Sequence, residues 1–140
     1  MSVRDETRYE GLLEKAREAL KLSYAPYSGL RVGAALLADG RVFLGANYEC
    51  VSYGLSICAE RSAIVNANVA GACDIEAIAV TSDRGAITPC GACRQLICEA
   101  SMRCGRDIAV VFESGEGVRV MRISELLPEA FSNIRRGADF

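Results

Sequence analysis

The sequence predicts an α/β fold, a three-layer domain built on a mixed sheet, and three observations predict it. Helical and strand-like patterns alternate in the order αββαβαβ(β)α, and no repeat, linker or low-complexity tract interrupts that order. A length of 140 residues suits one domain that buries about two-thirds of its unfolded surface. A single domain over residues 1–140 is therefore expected.

Each element has its own signal. Leu12, Leu13, Ala16, Ala19 and Leu20 recur at helical spacing within Thr7 to Leu22, and Pro26 follows, so the first helix should end near Tyr24. Val32–Leu37 and Val42–Ala46 are apolar runs on either side of Asp39-Gly40, a hairpin turn signal, and should pair antiparallel. Cys58–Val69 is alanine-rich and stops near Gly71, which fits a buried helix. Ile75–Thr81 reads as a buried strand. Pro89 opens the next helix through Cys90 to Ile97, and Gly105 closes it. Ile108–Phe112 and Val118–Ile123 read as the last strands, and Ser124–Leu127 before Pro128 as a short terminal helix.

Composition narrows the function. With 51% hydrophobic and 24% charged residues, and no apolar run near the ~20 residues of a membrane span, no transmembrane helix and no membrane partner are expected. Met1 to Glu10 lacks the basic start, apolar middle and small-residue cleavage site of a signal peptide, so the expected location is cytoplasmic. A net charge of −2 and a pI near 5.2 favour a small-molecule substrate over nucleic acid. Histidine is absent, so catalysis must use carboxylates, thiols or a metal held without imidazole. Seven cysteines in a reducing compartment point to metal or thiol chemistry rather than a disulfide framework.

The central pattern is Cys58-Ala59-Glu60, twenty-eight intervening residues (61 to 88), then Pro89-Cys90-Gly91-Ala92-Cys93. Cys90 and Cys93 stand three apart on one helix face, at an N-terminus where the macrodipole favours thiolates. A third thiolate, Cys58, would leave the fourth tetrahedral position of a zinc ion for water, the mark of a catalytic site. Because positions i and i+2 do not face each other within a helix, Cys58 should lie at the helix entry, its backbone not yet helical, with Glu60 aimed at the water. A carboxylate there can shuttle a proton from water to a ring nitrogen and a leaving amine.

These residues, with Tyr24-Ala25-Pro26-Tyr27-Ser28, Arg31-Val32-Gly33-Ala34-Ala35, Asn47-Tyr48-Glu49, Ser52-Tyr53-Gly54, Arg94-Gln95 and Glu125-Leu126-Leu127-Pro128, occur in the order of the cytidine deaminase family. The chain resembles that family's small homotetrameric branch, with three cysteine ligands, over nearly its whole length. The resemblance implies a three-layer α/β/α cytidine deaminase-like domain with a mixed five-stranded sheet. It implies one Zn²⁺ per subunit on Cys58, Cys90 and Cys93, with Glu60 as the proton shuttle. Asn47 and Glu49 would hold the ribose hydroxyl, the Ala59 backbone would help position the base, and Arg61 would offset the charge of the thiolates. Phe131 is similar to the aromatic that a neighbouring subunit lends to the nucleoside pocket, which implies a homotetramer with shared active sites.

Two positions depart from the family pattern. Leu30 stands where a phenylalanine usually packs against the base, and Cys50 replaces the usual asparagine after the ribose-binding glutamate. The expected reaction is hydrolysis of cytidine or deoxycytidine to the uridine counterpart with release of ammonia, as in pyrimidine salvage. Leu30 keeps open a modified cytosine nucleoside such as blasticidin S. A C-x-x-C pair is also common in noncatalytic zinc or redox modules; the first would need a fourth ligand from Cys50, Cys73, Cys98 or Cys104, and the second a reversible Cys90–Cys93 disulfide. Cys73, Cys98 and Cys104 read as small packing residues without assigned function.

Overall fold

The computed structural model describes residues 3–132. The chain runs α1 (Val3–Arg8), α2 (Glu10–Leu20), β1 (Val32–Ala38), β2 (Arg41–Ala46), a single 3₁₀ turn (Tyr53–Leu55), α3 (Ala59–Val69), β3 (Ile75–Ser82), α4 (Gly91–Cys104), β4 (Ala109–Ser114), β5 (Gly117–Arg122) and α5 (Ile123–Leu126). The sheet order is β2-β1-β3-β4-β5, mixed because β3 and β4 pair in parallel while the other neighbours are antiparallel. Helices cover both faces, so the expected three-layer arrangement is the observed one.

The β1–β2 hairpin turns on Asp39-Gly40, both at positive φ (51° and 71°), the geometry of a primed turn that matches strand twist. The Asp39 carboxylate accepts hydrogen bonds from the Cys73 and Asp74 amides at 3.1 and 3.2 Å, tying the hairpin to the entry of β3. Along β1, Val32, Ala34, Leu36 and Ala38 face a core completed by Ala59, Ala63 and Ala67 of α3 and Ile97 of α4. Ala35 of β1 faces the other way, where Ala77, Ala79 and Ala109 make a small-residue floor for Tyr9, Leu12, Leu13 and Ala16.

Two glycines set how closely helices approach the sheet. A Cβ on Gly33 would lie 2.1 Å from the Ala16 carbonyl oxygen of α2. One on Gly45 would lie 2.3 Å from the Ala59 oxygen and 2.5 Å from the Ala63 nitrogen. The start of α3 therefore rides directly on β2, and that contact places Cys58 and Glu60.

Three boundaries differ from the sequence-based expectation. The first helix is interrupted at Tyr9 (φ −103°, ψ 6°), where α2 restarts with the Leu12 and Leu13 amides donating to the Tyr9 carbonyl. The break lets the Tyr9 ring join the core beneath the sheet, a tertiary gain that overrides local helix propensity. The helix also stops at Leu20, before the expected end near Tyr24. Ile123 opens α5 rather than ending β5; its amide donates to the Ile108 carbonyl at 2.9 Å and its side chain is buried in the core on the α3 and α4 side.

Candidate active site

Two helix starts converge to make the site. Cys58 immediately precedes α3 with extended backbone (φ −73°, ψ 154°), and Cys90 immediately precedes α4 (φ −66°, ψ 169°). Cys93 lies one turn into α4 and is fully buried. The non-helical entry expected of Cys58 is thus present. It frees the Cys58 sulfur from the helical direction of Glu60, two residues on.

The three Sγ atoms lie within 4.8 Å of one another, and Cys58 and Cys90 are 4.0 Å apart. Thiolates arranged tetrahedrally at ~2.3 Å from one zinc ion would be roughly 3.8 Å apart, so the donor set fits that ion with little adjustment. Among the described residues no other cluster of metal-ligating side chains occurs, and Cys50, Cys73, Cys98 and Cys104 stand outside this one. Its electrostatics also suit a dication. The Cys93 thiol, buried beside Cys58, donates to it and lowers the Cys58 pKa to about 5, with help from Arg61. Hydrogen bonding to Cys58 and burial push Cys93 itself up, so three thiolates need a cation among them to coexist.

Arg61 supplies part of that charge. One guanidinium nitrogen donates to the Ser56 carbonyl at 3.0 Å and to the Cys58 sulfur at 3.7 Å. Contact with the Cys58 thiolate raises the Arg61 pKa further and keeps the group charged. Glu60 sits in the first turn of α3 with only 4% of its surface exposed, and burial pushes its carboxyl above the usual glutamate value of 4.5.

A cavity of about 240 Å³ opens over these groups. Cys58, Ala59, Glu60 and Cys90 line it at the thiol cluster, Ser28, Asn47 and Glu49 make a second end hydrogen-bonded to one another or to Leu30, and Val32, Ile87 and Thr88 also line the wall. Short backbone bridges hold the second end together: the Tyr24 amide donates to Asn47, the Glu49 amide to Tyr24, and Tyr48 exchanges both bonds with Ile57. The Tyr24 and Tyr48 rings stack at 4.7 Å beside them.

Every sequence-predicted site residue except Phe131 lines this cavity or, in the case of Cys93 and Arg61, touches the thiol cluster behind it. Phe131 is 77% exposed and absent from the cavity wall of its own chain; its carbonyl accepts from the Gln95 side chain at 2.9 Å. Asn47 is more committed than the sequence suggests. Its Oδ1 accepts from the Ser23 hydroxyl and the Val32 amide (2.9 Å), and its Nδ2 donates to the Leu30 carbonyl (2.8 Å). Sequence reasoning left Ser28 and Thr88 without individual roles, because a lone hydroxyl residue in a loop carries no spacing signal. Arg94, likewise, carries no role of its own in the sequence pattern. It braces the site, its Nε donating to the Pro89 carbonyl at 2.8 Å and Nη1 to the Leu126 carbonyl at 2.9 Å.

Residues 6–105 match the family described as the cytidine and deoxycytidylate deaminase zinc-binding region. The chain belongs to that family. The cytidine deaminase of Halalkalibacterium halodurans is 45% identical over 124 residues, spanning 86% of this chain and 92% of the relative. That of Mycobacterium tuberculosis is 39% identical over 118 residues, 83% and 84% of the two chains. Among solved structures, cytidine deaminase from Burkholderia pseudomallei superposes with a TM-score of 0.76 at 42% identity, covering 94% of this chain and all of the other. Zinc binding is a family property, and among the described residues the thiol cluster is the group able to hold a metal ion.

Proposed function

We propose that this chain is a zinc-dependent cytidine deaminase, converting cytidine or deoxycytidine to the uridine counterpart with release of ammonia. The observation that carries the reading is the convergence of three thiols and a buried carboxyl at one end of a nucleoside-sized cavity. Cys58, Cys90 and Cys93 hold one zinc ion, which supplies a Lewis acid able to acidify a water molecule. A structural site would normally enlist four protein ligands; the three thiols assembled here suit an open, catalytic one.

Glu60 takes one proton from the water that attacks C4 and delivers it to N3, then takes the second from the new C4 hydroxyl and passes it to the exocyclic amine, so that the C4–N bond breaks and ammonia leaves as the C4 carbonyl forms. Its burial suits the task, since it raises the carboxyl above its ordinary value and so favours the proton-holding form that a shuttle passes through. Arg61 tempers the charge of the thiolates, Leu30 and Ile87 flank the base, the Ala59 backbone borders it, and Glu49 and Asn47 face the sugar. Phe131, exposed and outside its own cavity, is available to close the pocket of a neighbouring subunit in a homotetramer. No described helix is long and apolar enough to cross a membrane. A cytoplasmic role in pyrimidine salvage suits the reduced thiols.

Ammonia release from cytidine by zinc-loaded protein tests the reading, with Glu60→Ala alongside. Turnover by the native chain and a loss of about 10²–10⁴-fold in the variant, with zinc retained, is the expected result. Near-normal turnover by Glu60→Ala would overturn the catalytic assignment. The aliphatic Leu30 in the cavity wall favours a second reading, a modified cytosine nucleoside such as blasticidin S. A kcat/KM comparison decides, and a large preference for cytidine removes that alternative.

A further inference from the structure

We infer that Ser28 is a positioning residue for sugar recognition, its hydroxyl aiming the Glu49 carboxylate at a nucleoside hydroxyl while fixing the cavity wall at Leu30. The inference rests on the cytidine deaminase reading and deepens it.

Glu49 belongs to a loop with few buried apolar anchors, so its direction depends on hydrogen bonds. One carboxylate oxygen accepts from the Tyr27 and Ser28 amides, both at 3.1 Å. The other accepts from the Ser28 hydroxyl at 2.6 Å, the short distance of a charge-assisted bond. Three donors from one turn leave the carboxylate a single orientation, with lone pairs to spare for a ligand donor. An ionised carboxylate accepts but cannot donate, so it selects a hydroxyl over an ether oxygen or a bare C–H.

The Ser28 hydroxyl also accepts from the Leu30 amide at 3.0 Å, so one oxygen sits between the carboxylate at the sugar end and the apolar side wall. The turn itself is rigid. Arg84 donates to the Ser28 carbonyl at 3.0 Å, the Gly29 amide donates to Ala25 at 3.1 Å, and Gly29 takes a positive φ of 71°. On the far side of Leu30, Asn47 holds the Leu30 carbonyl, so both polar backbone groups of that residue are pinned by side chains lining the same cavity. Losing the hydroxyl would leave Glu49 two backbone donors on one oxygen and let the other swing.

The test is steady-state deamination of cytidine and of 2′,3′-dideoxycytidine by the zinc-loaded wild type, Ser28→Ala and Ser28→Thr. We expect Ser28→Ala to raise KM for cytidine about tenfold with a much smaller change in kcat, and to change the constants for the dideoxy substrate by less than about threefold. Ser28→Thr keeps the hydroxyl and should recover most of the cytidine KM. An equal penalty on both substrates, or no rescue by threonine, would overturn the positioning role. A wild type inert toward both nucleosides would overturn the deaminase reading and this inference with it, whereas an active wild type with an equal penalty overturns the inference alone.

Discussion

The two ends of the cavity are built by different means. At the thiol end, the functional groups come from the starts of α3 and α4 and from buried positions packed on the sheet. At the other end, proposed to receive the sugar, they come from loops whose side chains are oriented by hydrogen bonds to one another and to backbone amides. The contrast follows from what each end must do. Charge development during chemistry demands donors that cannot relax, and the end proposed to carry the reaction is backed by the core. Recognition of hydroxyls needs acceptors at defined angles, which a well-braced loop provides without the cost of burying a carboxylate in the core.

The largest expected effect comes from breaking the thiol end. Cys93→Ala removes one of the three proposed zinc ligands, the one of the three that is fully buried. It should abolish turnover, lower bound zinc well below one per chain, and eliminate the drop in melting temperature that a chelator produces in the wild type. A variant that still melts lower on chelation would show that zinc is held without Cys93.

A smaller effect should follow from disturbing the support beneath that end. Gly45→Ala drives a methyl group against the Ala59 carbonyl and the Ala63 amide, both part of α3. The expected cost is about 1–3 kcal/mol of stability in denaturant titrations, with kcat falling as the start of α3 shifts. Unchanged stability would mean that α3 can lift from β2 freely.

The mildest effect is at the sugar end and concerns pH. Hydrogen bonds from the Ser28 hydroxyl and amide, then from the Tyr27 amide, hold the Glu49 carboxyl below its ordinary 4.5. A folded-state pKa that is depressed stabilises the native state above 4.5, and the contribution disappears as pH falls through the lowered folded value. KM for cytidine should accordingly stay flat on acidification from about pH 7 to about pH 5, since a free glutamate titrates near pH 4.3 and this one lower. A rise in KM that begins near pH 6 would contradict the ionised, hydrogen-bonded state of Glu49.

The thiol end was also the more legible in sequence, for the same physical reason. Cys58 ahead of an alanine-rich helix, and Pro89-Cys90 ahead of another, combine ligand chemistry with helix-start signals in a few consecutive residues. Both helices start where those signals place them, with extended backbone at each cysteine. The sugar end carries no such local code. Glu49 and its donors Tyr27 and Ser28 are more than twenty residues apart, and nothing in either loop announces the pairing. Asn47 illustrates the gap: the sequence offers it as a ribose contact, while its amide is largely occupied in holding Ser23, Leu30 and Val32.

The sequence by itself determined the elements, the hairpin at Asp39-Gly40, the cap at Gly105 and the identity of the thiol set, because each depends on sterics or hydrogen bonding within a few residues. Only the tertiary structure decided the sheet order, the break at Tyr9, the entry of Ile123 into α5, the seating of α3 on Gly45 and the clasp of Ser28 on Glu49. Those features join segments distant in the chain, and their energies come from burial and hydrogen bonds that exist only once the segments meet.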